Sequence, residues 1–400
     1  MKISQRAKHA ILIGTLCSVS YFAVYNARNI LSAVTPQMID GGYSESYIGT
    51  VASLYFVFYA FGQLINGAIG DRIKAKWMIA VGLLGAGVSN LVFSQVAANQ
   101  TAAMAAYAMT GFFLSMIYGP MTKVVSENTD PIHATRCSLG YTFSSFIGTP
   151  SAGFLASLLV WQSVFAVSSA LLVVMAVIAF VFFSVFEQRG IVKYGQYKTE
   201  KKGVGGVKVL LRHGIVKFSL ISIITGIVRT SVVFWMPTYI KDCLGYPTQT
   251  ATMIFSVATF VISFTTFVAI FVYERLGYDM HKTVLVMFSC SALFFALTYF
   301  VKIPELNIVF FVLAIMSSNG AGTMLYSRYC PSLRDTGMVS SATGFLDFLS
   351  YMAAAAANMI FANAVSDIGW SNLLITWIAI VALGVVVALP YKRFQRQEMK

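Results

Sequence analysis

Apolar residues run along this chain in stretches of about 20, enough for a helix to cross roughly 30 Å of hydrocarbon. Short polar turns separate the stretches. Twelve of them recur: 9–35, 47–70, 77–97, 101–125, 138–160, 162–186, 213–240, 249–273, 282–301, 305–327, 337–363 and 370–390. The pattern predicts an all-α membrane protein with twelve transmembrane helices and no soluble domain. One connection differs from the rest: 187–212 is long, charged and glycine-containing. It divides the chain into an N-terminal six-helix bundle over 1–186, a cytoplasmic linker over 187–212, and a C-terminal six-helix bundle over 213–400.

Inside several of these helices the polar residues fall on one face. Ser18, Tyr21, Tyr25, Arg28, Ser32 and Thr35 are spaced 3, 4, 3, 4 and 3, a continuous stripe on a helix of 3.6 residues per turn. Lipid does not tolerate such a stripe, so it is expected to line water or substrate. The second helix adds Tyr55, Tyr59, Gln63 and Asn66, and the eleventh adds Thr343, Asp347, Tyr351 and Asn358. Milder rows appear in the fifth helix (Thr142, Ser145, Thr149) and the eighth (Thr259, Ser263, Thr266).

The two halves also echo one another. Arg28 precedes Pro36 by eight residues in the first helix of one half, and Arg229 precedes Pro237 by eight in the first helix of the other. A short acidic-basic pair follows the second helix of each half, in "GDR" (70–72) and "YER" (273–275). Repeated halves with a long middle loop are the layout of transporters whose substrate site lies near the midplane.

Composition agrees with a membrane chain: 58% of its 400 residues are hydrophobic and only 11% are charged. The net charge of +13 has a topological cause, which removes nucleic acid as an implied partner. With a cytoplasmic N-terminus, all but four of the 28 Lys and Arg fall in inside segments or adjoining helix ends. The exceptions are Arg28, Arg229, Lys241 and Lys302. The positive-inside rule then places both termini in the cytoplasm, and some attraction to anionic membrane lipid follows. The five cysteines show no metal spacing, and no motif for a cofactor appears. No His, Cys or Ser constellation with a base suggests an enzyme.

An ionisable group at the bilayer centre costs about 2.5–3.5 kcal/mol on insertion scales, and such groups face a cavity or a partner. Arg28 and Arg229 lie too deep to reach either interface, and neither has a carboxylate at helical spacing in its own helix. Two guanidinium groups facing one cavity repel when it is empty. An anion with several acceptor oxygens removes that repulsion and takes bidentate bonds from both. Phosphate monoesters, at about −1.5 to −2, suit this better than a single carboxylate. The alternative is that the arginines pair with Asp347 or backbone carbonyls and brace the bundle.

These residues carry a resemblance. "RTSVVFWMPTYIKD" (229–242) resembles the seventh-helix signature of the organophosphate:phosphate antiporter family of the major facilitator superfamily, with Arg229, Trp235, Pro237, Thr238, Tyr239 and Lys241 in pattern. "YFAVYNARNILSAVTP" (21–36) is similar to that family's first helix at Tyr21, Tyr25 and Arg28. Tyr59 and the "GAIGDR" turn fit the second helix, and "SSATGFLDFLSYM" (340–352) resembles the eleventh, including Tyr351. The resemblance implies an antiporter that brings in sugar or glycerol phosphates in exchange for inorganic phosphate. It implies phosphate binding by Arg28 and Arg229, with Tyr21, Tyr25, Tyr59 and Tyr351 shaping the pocket; Gln63 and Asp347, on the polar rows of the second and eleventh helices, are expected to line it too, although Asp347 adds a negative charge where the glycerol-phosphate carriers have a small residue. It also implies conformational gating by Asp71 and Arg72, with Glu274 and Arg275 as their counterparts. Gln63 stands where glycerol-3-phosphate carriers have a lysine, and Gln162 where they have a histidine, so the pocket is less positive.

Asp347 admits three roles: partner of an arginine, contact for a substrate hydroxyl or amine, or carrier of a coupling proton. Two rival readings remain beside the antiporter, a proton-coupled importer of sugar acids and a membrane sensor of sugar phosphate. The expected setting is a plasma membrane, most simply a bacterial inner membrane, with the chain a monomer.

Overall fold

The computed structural model describes residues 4–70, 73–194, 207–333 and 339–390. Asp71 and Arg72 lie outside these described residues, as do 195–206 of the 187–212 linker and the C-terminal tail from 391. Long helices account for nearly everything described. They are labelled here α1 Gln5–Asp40, α2 Glu45–Asn66, α3 Ala75–Val96, α4 Gln100–Asn128, α5 Pro131–Leu158, α6 Trp161–Gln188, α7 Ile215–Asp242, α8 Thr248–Arg275, α9 Met280–Phe300, α10 Pro304–Ser332, α11 Ser341–Val365 and α12 Asp367–Ala388. Eleven of the twelve are long and apolar enough to span a membrane by those criteria alone. The twelfth, α5, has the length, at 28 residues, and carries Ser, Thr and Gly along the side packed on α1. The helices match the apolar stretches to within a few residues, and the architecture is the expected all-α membrane bundle.

The chain forms two compact units, one over 1–199 together with 246–260, the other over 200–245 together with 261–400. In the first, α1 lies along α5 and α6, α3 along α4 and α6, and α2 along α4. In the second, α7 lies along α11, and α9 packs against α10 and the helix of 339–388.

Membrane helices gain no hydrophobic drive from pairing, so close approach depends on small residues and interhelical hydrogen bonds. A Cβ on Gly148 of α5 would sit 2.6 Å from Tyr25 Cβ and 2.8 Å from the Phe22 carbonyl oxygen of α1. Asn26 then donates to Ser151 Oγ at 2.8 Å, Asn29 to Thr149 Oγ1 at 3.2 Å, and Ser144 to the Ser18 carbonyl at 2.6 Å. The α7–α11 contact repeats the device. A Cβ on Gly226 would lie 2.7 Å from the Ser350 carbonyl oxygen. Ser222 donates to the Leu346 carbonyl at 2.7 Å and Ser231 to the Ala354 carbonyl at 2.8 Å.

Breaks in the helices have local causes. In α4 the α-helix stops at Leu114 and resumes at Tyr118. Pro120 has no N–H for the Met116 carbonyl, and its ring crowds that group. In α7 and α10 the chain widens into π-helical turns, Ile227–Val232 and Leu325–Tyr329. Each lies ahead of a proline, Pro237 and Pro331. A positive φ of 75° at Gly369 marks a kink in the continuous helix of 339–388, close to the start of α12.

At one helix end Lys74 and Lys76 each reach a different oxygen of Glu187 at 2.6 Å, clasping the start of α3 to the end of α6. At another, Asp279 caps α9 by accepting from the Lys282 amide at 3.0 Å. Burial alone would raise this carboxyl's pKa, but the Lys282 amide and ammonium hold it below the usual aspartate value. Replacing Asp279 with Ala is expected to lower stability by about 1 kcal/mol. A lowered folded-state pKa means this contribution is present above the ordinary aspartate value and is lost as pH falls through the folded one. Thermal unfolding in detergent, at neutral and acid pH, should show the variant's deficit shrinking in acid.

Candidate functional site

The first unit holds Arg28 half-buried, with its guanidinium carbon 5.2 Å from the Tyr59 ring centre and 5.8 Å from that of Phe56, both on α2. Asn26 and Asn29 bracket Arg28 in sequence, and their bonds to α5 fix the rotation of α1 that turns the arginine toward α2. Two cation–π contacts of this kind offset about 1–2 kcal/mol of the insertion cost. Around them lies an aromatic cluster. Tyr21 packs edge-on to Tyr25 at 4.9 Å, and its ring centre is 5.4 Å from Tyr118 and 6.2 Å from Tyr141. Tyr59 stacks on Tyr55 at 6.1 Å, and Gln63, one turn further along α2, is half-buried.

The second unit arranges its residues comparably. Arg229 sits in the π turn of α7, half-buried, and donates to Ser350 Oγ at 3.3 Å. Its guanidinium lies 5.7 Å from the ring centre of Tyr351. Ser222 and Ser231, bonded to α11, bracket it as Asn26 and Asn29 bracket Arg28. Tyr326, in the π turn of α10, donates its phenol to the Asp347 carboxylate and lies within electrostatic range of Arg229. The Ser222 hydroxyl, its proton directed to Leu346, sits 3.3 Å from the Tyr326 oxygen. Tyr326, Asp347, Arg229, Ser350 and Tyr351 thus form one cluster.

The structure therefore brings Arg28 and Tyr59 together in one unit, and Arg229, Asp347 and Tyr351 together in the other. Tyr21 and Tyr25 adjoin Arg28 on its own helix. The polar stripes are only partly what they promised. Ser32 and Thr35 are buried, Thr35 returning its hydroxyl proton to the Leu31 carbonyl. Asn66 is buried and donates to Ser115 Oγ at 2.8 Å, and Asn358 is buried too. These residues pack inside the protein and do not face water. The side chain of Thr142 lies outside the described residues, and Thr259 bonds back to the Phe255 carbonyl. Glu274 and Arg275 are exposed at the end of α8, the guanidinium 5.1 Å from the Phe271 ring centre.

Tyr326, Ser350 and Phe56 are the site-lining residues that sequence reasoning missed. The signal for Tyr326 was faint: a tyrosine one turn ahead of Pro331, as Arg229 stands ahead of Pro237.

A helical membrane bundle with charged side chains held in its interior defines the class, a multi-pass membrane transporter. Residues 17–358 match the Major Facilitator Superfamily, and the chain belongs to that family. It is therefore a transporter and not an enzyme. The glycerol-3-phosphate transporter of Bacillus subtilis (strain 168) is 20% identical over 98% of this chain and 94% of its own length. The membrane sensor protein UhpC of Escherichia coli (strain K12) is 29% identical over 76 residues, 19% of this chain and 17% of that protein. A probable hexose phosphate transport protein of Chlamydia trachomatis is 25% identical over a stretch of the same length. Among solved structures, a bacterial homolog of the human lysosomal transporter Spinster, inward-facing and unoccupied, superposes with TM-score 0.77 at 11% identity, covering 99% of this chain and 98% of that one. A D-xylose–proton symporter gives TM-score 0.68 at 13% identity, over 96% and 95%. These likenesses bear out the fold and the resemblance to carriers of phosphate esters.

Proposed function

We propose that the protein is a secondary carrier of a small organic anion, a sugar or glycerol phosphate, exchanged for inorganic phosphate by alternating access. The observation that carries this reading is the pair of half-buried arginines, one per unit, each set among aromatic rings and polar anchors of its own unit. The near full-length likeness to a glycerol-3-phosphate transporter supports it. In this reading Arg28 and Arg229 take the same anion, while Tyr21, Tyr25, Tyr59, Gln63, Asp347 and Tyr351 shape its surroundings. The anion neutralises the arginines and lowers the barrier to rocking between the two six-helix halves, with 187–212 as the cytoplasmic linker. The empty site stays charged and repelled, so return with a second anion is favoured over empty return. Asp71, Arg72, Glu274 and Arg275 gate the inner ends, and both termini face the cytoplasm of a bacterial inner membrane, the chain acting as a monomer.

The test is exchange in proteoliposomes. Labelled phosphate should enter phosphate-loaded vesicles, be chased out by glycerol 3-phosphate or a hexose phosphate, and persist when the proton gradient is collapsed. Absence of exchange in either direction would count against the carrier and for a sensor. The carboxylate of Asp347 beside a phenol supports a second reading, proton-coupled import of an organic acid. That reading requires uptake to stop when the gradient collapses and Asp347→Asn to abolish accumulation.

A further inference from the structure

Asp347 is the carboxylate carried farthest into any span, six residues past Ser341 in α11, while the other acids lie at span ends or in loops. It is held in the second unit's cluster: Tyr326 donates to it, and the same phenol feels the charge of Arg229. From α7 the cluster presents Arg229 and Ser222; from α10, Tyr326 and Cys330; from α11 itself, Tyr351. Two features show that this placement is built. Tyr326 and Arg229 stand on the two π-helical turns found among the described residues, and such turns are frequent at functional positions. The Ser222 bond to Leu346 holds α7 against α11 at the residue beside Asp347.

We propose that Asp347 sets the charge of the binding site so that the anion is carried as a monoanion. The inference rests on the reading that Arg28 and Arg229 take one anion. Two guanidinium groups alone match a dianion. With the Asp347 carboxylate counted, the site carries one net positive charge, and a doubly charged phosphate would bring unbalanced negative charge into a low-dielectric interior, where it is strongly disfavoured. A phosphate monoester has its second pKa near 6, so it can enter as the singly charged form. Tyr326 keeps the carboxylate in place and ionised by donating to it.

The experiment measures equilibrium binding of two probes to the purified full chain, glucose 6-phosphate and glucose 6-sulfate, at pH about 5.5 and about 7.5. The monoanionic share of the phosphate ester falls about twentyfold over that interval, whereas the sulfate ester stays singly charged. Wild-type affinity for the phosphate should fall about tenfold or more with rising pH, and affinity for the sulfate should stay level. In Asp347→Asn the phosphate should bind as well at the higher pH as at the lower, and better than the sulfate. Wild-type affinity for the phosphate that is flat or rises with pH would overturn the proposal, as would a parallel fall for both probes or a variant that keeps the wild-type slope. The wild-type comparison needs no variant, so a misfolded Asp347→Asn does not rescue it. Binding of neither probe at either pH would instead overturn the phosphate-carrier reading on which the proposal rests.

Discussion

Arg28→Gln and Arg229→Gln should each reduce phosphate exchange in proteoliposomes by at least about a hundredfold, with the protein still inserted and no less heat-stable. The magnitude follows from the bonds at stake. A hydrogen bond to a charged group contributes about 1.5–3 kcal/mol, and a bidentate guanidinium–phosphate pair makes two, while each 1.4 kcal/mol is about tenfold in affinity. The stability half of the expectation is the more discriminating. Burying the guanidinium costs about 2.5–3.5 kcal/mol, and the neutral amide relieves it. A bracing arginine predicts the reverse pattern, a fall in unfolding temperature with exchange retained in the surviving fraction. Exchange kinetics and thermal unfolding on the same preparation separate the two.

The second large effect is steric. Gly226→Val should abolish exchange and lower the unfolding temperature. The added Cβ would meet the Ser350 carbonyl oxygen at 2.7 Å and its Cα at 2.8 Å, and these are backbone atoms that cannot turn aside. Forcing extra methyl groups into a packed contact costs about 1–3 kcal/mol. Here the whole α7–α11 contact must open, and with it the Arg229–Ser350 bond one turn further along. Gly344→Ala supplies the control, since beyond its own chain neighbours and the adjacent backbone of its helix no atom lies within 4 Å of its Cβ position. It should leave both exchange and unfolding temperature unchanged. If Gly226→Val transported at the wild-type rate, the close approach of α7 and α11 would have no part in placing Arg229.

The spans were legible in the sequence because hydrocarbon fixes a helix length that composition alone reveals. Arg28 and Arg229 were legible as interior groups because lipid excludes them. Which polar neighbours would accompany them was only half legible. Ser32, Thr35, Asn66 and Asn358 share the spacing of Tyr25 and Arg28 yet are buried. Helix–helix contacts in a membrane recruit the same small polar residues that line a wet cavity, so spacing cannot tell the two uses apart. Tyr326 escaped for a different reason. No row of polar residues on the tenth helix leads to it, and the π turn over Leu325–Tyr329 inserts an extra residue that breaks the 3.6-residue period there. The bracketing of each arginine by hydrogen-bonded residues needed coordinates. Asn26 and Asn29, on either side of Arg28, read as polar noise until they are seen to bond Ser151 and Thr149.

That Arg28 and Arg229 hold a single anion is most directly tested by a double-mutant cycle on phosphate-ester binding, comparing wild type, Arg28→Gln, Arg229→Gln and the double variant. A shared anion predicts that each single substitution removes most of the affinity and that the double variant is little worse than either, a coupling well above the ~0.5 kcal/mol within which independent sites add. Losses that add within that margin, or one substitution without effect on binding, would contradict it.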